Sequence, residues 1–106
     1  MSRKLMITSD AEEDLDDIYQ YILNHFLAPQ AAENTMTNIR LAIEQLLEIP
    51  SLGIDVSDRL GRQFSKEHVL RMTLAGKYLV FYIDDGMAIV VLRVLYQKRN
   101  WIDIFK

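Results

Sequence analysis

The residues with most chemical potential lie in the second half of the chain. They are the arginines Arg71, Arg93 and Arg99 and the tyrosines Tyr78, Tyr82 and Tyr96. Arg93 is the one charge inside the run Met87–Tyr96, which is otherwise nearly all apolar. A charge there needs an open sheet face or a partner, because burial alone is costly. Two roles follow: it lines a concave face that receives an anion or a protein, or it pairs with an acid of the same domain. Arg71 sits mid-strand in the same way. Tyr96 is followed closely by Lys98 and Arg99. A phenol beside cations can act as an acid or stack on a base, although tyrosine is also an ordinary packing residue of strands.

Other chemistries lack their parts. With no cysteine, thiol nucleophiles and thiolate metal sites are excluded. His25 and His68 are far apart and outside any metal-spaced pair, so no metal is expected. No glycine-rich loop follows a strand, which removes the usual cradle for a nucleotide phosphate. No cofactor is expected.

Charge is divided along the chain. Residues 1–50 carry three bases against nine acids, and residues 51–106 carry nine bases against six acids, within a net charge of −3. An anion-binding surface is therefore expected in the C-terminal half. A length of 106 residues, half of them hydrophobic and a quarter charged, predicts one folded domain over 1–106. The first residues lack the apolar core of a signal peptide, and the longest apolar run, Met87–Leu92, is too short to span a bilayer. A cytoplasmic protein without a membrane partner is expected.

The elements that must position these residues follow from periodicity. Lys4–Thr8 predicts a strand. Ser9-Asp10-Ala11-Glu12 fits a capping box, and Leu15, Ile18, Tyr19, Ile22 and Phe26 then recur at helical spacing. Pro29 suits the first turn of a second helix with the stripe Ala32, Met36, Ile39, Ile43, Leu46 and Leu47, which Pro50 stops. So short a connection predicts an antiparallel helical hairpin. Ser51–Ser65 reads as a loop. His68–Leu74 and Lys77–Ile83 read as strands, Asp84-Asp85-Gly86 as a hairpin turn, and Met87–Tyr96 as a central strand buried on both faces. Lys98–Lys106 is a short amphipathic tail, expected to be helical. The sum is an α+β fold, β-α-α-β-β-β, with a helical hairpin on a curved, mainly antiparallel sheet.

This order resembles the RelE/ParE toxin superfamily. The segment Tyr78-Leu79-Val80-Phe81-Tyr82, the turn Asp84-Asp85-Gly86 and the run Val90-Val91-Leu92-Arg93-Val94-Leu95-Tyr96-Gln97-Lys98-Arg99-Asn100-Trp101 are similar to the family's C-terminal signature. The resemblance covers essentially the whole chain. It implies the toxin of a type II toxin–antitoxin pair of the plasmid-stabilisation kind, which arrests bacterial growth and is neutralised by a cognate antitoxin, with an oligomer of the two left open. RelE-like members cut messenger RNA on the ribosome; the best-described ParE-like members poison DNA gyrase.

In the ribonuclease branch Arg93, Tyr96 and Arg71 would be the catalytic set. Arg93 and Tyr96 match positions used there, and Arg71 falls near a functional arginine. Other positions depart from it: Tyr78 stands where that branch opens its strand with arginine, and Leu95-Tyr96 where some members have His-Tyr. Acid–base cleavage needs both a proton acceptor and a donor, and the chain offers cations without a convincing pair. The acidic net charge also suits a grip on RNA poorly. The ending Leu95–Trp101 looks ParE-like. The resemblance therefore weighs towards a protein-binding toxin acting on a target such as gyrase, with Arg71, Arg93, Tyr96, Lys98, Arg99 and Trp101 contacting target or antitoxin. The alternatives are a ribosome-dependent mRNA endoribonuclease and a non-toxic interaction module of the same fold.

Overall fold

The structure is a computed structural model and describes residues 3–105. Its elements run β1 (Lys4–Ile7), α1 (Ser9–Phe26), α2 (Pro29–Glu48), β2 (Ile54–Asp55), α3 (Ser57–Leu60), β3 (Arg71–Ala75), β4 (Tyr78–Asp84), β5 (Ala88–Tyr96) and α4 (Trp101–Ile104). The fold is α+β, with helices packed on a sheet of order β1-β5-β4-β3-β2 in which only the β1–β5 pair is parallel. The expected tail helix is α4; Lys106, the end of the expected tail, lies outside the described residues.

Alternation along β4 divides the core between the sheet's two faces. Val80 and Tyr82 join Ile18, Ile22, Ile39, Ile43 and Leu46 of the helical hairpin. Leu79 and Phe81 join Val56, Leu60, Leu70, Leu95, Trp101 and Phe105 on the other face. The apolar run of β5 reflects burial on both sides, as its composition predicts, but β4 is the middle strand and β5 lies between it and β1. A bulge sets the phase of β5. Phe81 pairs with Arg93 and Tyr82 with Val91, so Leu92 is left over and Val94 returns to the hairpin side beside Val91 and Ile89.

Three local expectations are corrected. The cap of α1 is Thr8, not Ser9: the Thr8 hydroxyl accepts from the Ala11 N–H at 3.1 Å and donates to the Leu92 carbonyl at 2.9 Å. That second bond reaches 84 residues along the chain, so no local pattern announces it. The loop 51–65 contains β2 and α3, both too short for a periodic signal. Phe26, counted in the apolar stripe of α1, is 64% exposed.

The β4–β5 hairpin follows its turn chemistry. Gly86 takes φ 92°, and Asp85 Oδ1 accepts from the Met87 and Ala88 N–H groups at 2.9 and 2.7 Å. Among the described residues no helix is long and apolar enough to cross a membrane.

Candidate functional site

The parallel partner β1 covers β5 only as far as Val91. Beyond it the open edge of β5 meets α1, and the side chains of α1 must satisfy it. Thr8 takes the Leu92 carbonyl, and Asp14 Oδ2 accepts the Val94 N–H at 2.9 Å. Asp14 also receives Arg93: Nε donates to Oδ2 at 2.8 Å and Nη2 to Oδ1 at 2.9 Å. Asp14 is 6% exposed, and three donors converge on its carboxylate. The hydrogen bond to Asp14 is the main cause that raises the Arg93 pKa further above its usual value; burial opposes it, and the negative charges of Asp14, Asp10 and Glu13 assist. Of the two roles open to Arg93, the structure places it in the ion pair.

Asp14 is not among the candidates that residue type and spacing single out. A signal was present: Asp14 falls on the stripe Ala11, Ile18, Ile22, in phase with the buried face. An acid there needs a cation, and Arg93 is the one that β5 brings to it.

Arg71 lies elsewhere. Its Nη1 donates to the Gly53 carbonyl at 2.7 Å, and it pairs across the sheet with Tyr82. The fully buried Tyr82 hydroxyl accepts from the Gly53 N–H at 2.8 Å and donates to the Pro50 carbonyl at 2.7 Å. Burial is the main influence that pushes the Tyr82 phenol up. These bonds fasten the segment between α2 and β2 to the sheet. A Cβ on Gly53 would stand 2.7 Å from the Tyr82 hydroxyl and 2.8 Å from the Met72 carbonyl, so the close approach requires glycine.

Tyr96 ends β5 and is 41% exposed, its ring 5.9 Å from that of Tyr78 across the strand pair. Burial is the leading cause that raises the Tyr78 pKa, with Tyr96 and Tyr21 adding to it. Lys98 and Arg99 follow, both exposed. Trp101, expected among the contact residues, is a core residue at 6% exposure. It packs on Phe81 at 5.1 Å and carries the Arg59 guanidinium 5.5 Å from its ring centre. Burial of its large ring anchors α4. The six sequence candidates are thus spread over four places: the α1–β5 seam, the loop before β2, the end of β5, and the opposite face.

What the structure brings together is a groove of about 810 Å³ between α1 and the end of the sheet. Ile18, Tyr21, Ile22 and Phe26 form one wall; Lys77, Tyr78, Tyr96 and Arg99 form the other. Tyr21 is 52% exposed and stacks on His25 at 4.0 Å. Among the described residues no group of three or more His, Asp or Glu side chains could hold a metal ion. The groove is apolar and aromatic, edged with charge, and suited to binding.

A helical hairpin on one face of a five-stranded, mostly antiparallel sheet is the α+β architecture of the RelE/ParE toxin superfamily. The family model described as the ParE toxin of the type II toxin–antitoxin system parDE matches residues 5–101, and the chain belongs to that family. It is the toxin component of a type II system. Among solved structures, the chromosomal ParDE toxin–antitoxin system from P. aeruginosa has a similar fold: TM-score 0.65, 18% identity, covering 90% of this chain and 96% of that one. The archaeal RelE–RelB complex from Pyrococcus horikoshii OT3 gives TM-score 0.58, 16% identity, and coverage of 93% and 99%. No curated protein sequence matches the chain.

Proposed function

We propose that this toxin arrests bacterial growth by binding a protein target, DNA gyrase being the first candidate, and that it does not cut RNA. The observation that carries the reading is the state of Arg93. A nuclease needs that guanidinium free to stabilise charge on a phosphate. Here its Nε and Nη2 donate to Asp14 at 2.8 and 2.9 Å, which turns the guanidinium towards α1 and compensates its charge there. The remaining candidates do not make an acid–base pair. Tyr96 neighbours Tyr78, a second phenol and not a carboxylate or imidazole that could take a proton from it. Arg71 lies under the loop before β2, away from both.

A cognate antitoxin is the second partner, as the family and the two toxin–antitoxin assemblies of similar fold suggest. Induced alone in bacteria, the chain should stop growth, and co-expression of the small gene beside it should relieve the arrest. Normal growth with abundant soluble protein is the result that counts against the toxin reading. Ribosomes programmed with mRNA and supplied with the purified chain should show no new cuts; codon-positioned cuts would move the protein to the nuclease branch.

A further inference from the structure

The sheet has the order β1-β5-β4-β3-β2, so β1 is one of its two outer strands. Its inner side is taken: the Lys4 N–H donates to the Met87 carbonyl at 3.0 Å and the Thr8 N–H to the Val91 carbonyl at 3.1 Å. Backbone groups alternate sides along a strand. Lys4, Met6 and Thr8 therefore face β5, while the N–H and C=O groups of Leu5 and Ile7 point outward. Among the described residues no strand lies beyond them. The side chains there are apolar and uncovered: Leu5 is 40% and Met6 56% exposed. Neither a proline nor a bulge blunts this edge.

Charge decides what such an edge can accept. Two of the three bases in residues 1–50, Arg3 and Lys4, stand at the start of β1. Asp10, Glu12 and Glu13 follow its end, all exposed at the start of α1. Arg3 is engaged with Asp84 at 2.6 Å, which leaves Lys4 as the exposed base of the edge. The edge is thus positive at one end and negative at the other. Laid antiparallel on a second copy of itself, it brings each positive end to the other's negative end. Laid parallel, it sets like charges together.

We propose that two copies of this chain associate through β1, antiparallel about a two-fold axis at Met6, and so join their two sheets into one. Leu5 pairs with Ile7 of the second copy, and Ile7 with its Leu5, each pair exchanging both backbone hydrogen bonds. Met6 meets Met6 on the axis, and Lys4 comes opposite Thr8, beside Asp10. The contact is self-complementary, as a two-fold interface must be. No residue of β1 lines the groove between α1 and the end of the sheet, so the pairing needs nothing from the target reading above.

The chain has no cysteine, so an introduced one reports its own contact. Facing residues between hydrogen-bonded pairs stand about 4.5 Å apart at Cα, within disulfide range. Met6→Cys should therefore give a covalent dimer under mild oxidation. Leu5→Cys, more than about 7 Å from its copy in this register, should link at least about tenfold more slowly. Sedimentation of the unaltered chain should show its mass rising towards the dimer between about 10 and 500 µM, as suits so short a contact. The Lys4–Asp10 approach occurs twice in the dimer, so Lys4→Glu or Asp10→Lys alone should weaken it by about fivefold or more. The two together should restore it to within about twofold. A chain that stays monomeric over that range overturns the proposal. So does a Met6→Cys variant that links no faster than Leu5→Cys, or a double reversal no better than either single one. Hydrogen-exchange protection along β1 that appears only on adding the product of the neighbouring gene also overturns it, by giving the edge to a partner's strand. The toxin reading stands in each case.

Discussion

Removal of the Asp14 carboxylate tests the α1–β5 seam most sharply. Asp14→Ala leaves the Arg93 guanidinium without its two acceptors and the Val94 N–H without its one. Breaking a buried ion pair from one side costs about 3–5 kcal/mol. The Arg93 side chain keeps 23% of its exposure and so recovers some hydration, which lowers the expected loss to about 2–4 kcal/mol. For a chain of this length each kcal/mol moves Tm by about 4–5 °C, so Tm should fall by about 10–20 °C. Arg93→Ala should cost at least as much, because it strands the more deeply buried member, Asp14. Combining the two should cost clearly less than their sum, with a coupling of at least about 1.5 kcal/mol, since one interaction is removed twice. Urea unfolding of the three variants and the parent gives the cycle directly. Asp17→Ala, one turn along α1 and exposed, is the control and should stay within about 0.5 kcal/mol. If Asp14→Ala matches that control, the carboxylate is not holding the seam, and Arg93 is not held by it.

Further outcomes follow from the same structure. Tyr82→Phe removes the donor to the Pro50 carbonyl and the acceptor of the Gly53 N–H, and should lower stability by about 1–3 kcal/mol in denaturant melts. Asp55 and Asp85 have carboxyls held below the usual range, Asp55 chiefly by the Ser57 hydroxyl and Asp85 chiefly by the Met87 N–H. Their contribution is complete above the unfolded carboxylate pKa, near 4, and is lost as pH falls through the lower folded values. Stability measured from pH 5 down to pH 2 should therefore decline less steeply in Asp85→Ala than in the parent. Leu27→Gly relieves the left-handed leucine at an entropic cost of similar size, so its melting should change by less than about 1 kcal/mol. Tyr96→Phe should weaken target binding by at most one hydrogen bond, about 0.5–1.5 kcal/mol in titration.

Much of the fold was legible because its signals are local. The two helical stripes, Pro29 and Pro50, and the Asp84-Asp85-Gly86 turn each carry their meaning within a few residues. The parts that were not legible depend on partners distant in sequence. Thr8 caps α1 in place of Ser9 because its hydroxyl is also wanted by Leu92. Asp14 is one acid among many until the open edge of β5 is seen to need it. Trp101 reads as a surface aromatic beside Lys98 and Arg99, and only the second core shows that its ring is buried. The groove was invisible for a similar reason. It joins α1 to residues more than fifty positions away, and Phe26, 64% exposed on its wall, looks like core in the helical repeat.

The central claim is that the chain works by gripping a protein and not by cutting RNA. The direct measurement incubates the purified toxin with DNA gyrase and relaxed plasmid, and in parallel with mRNA-programmed ribosomes. The account predicts loss of supercoiling or gyrase-linked DNA breaks in the first reaction and intact message in the second. Intact supercoiling together with codon-positioned mRNA cuts that vanish in Tyr96→Phe would contradict it.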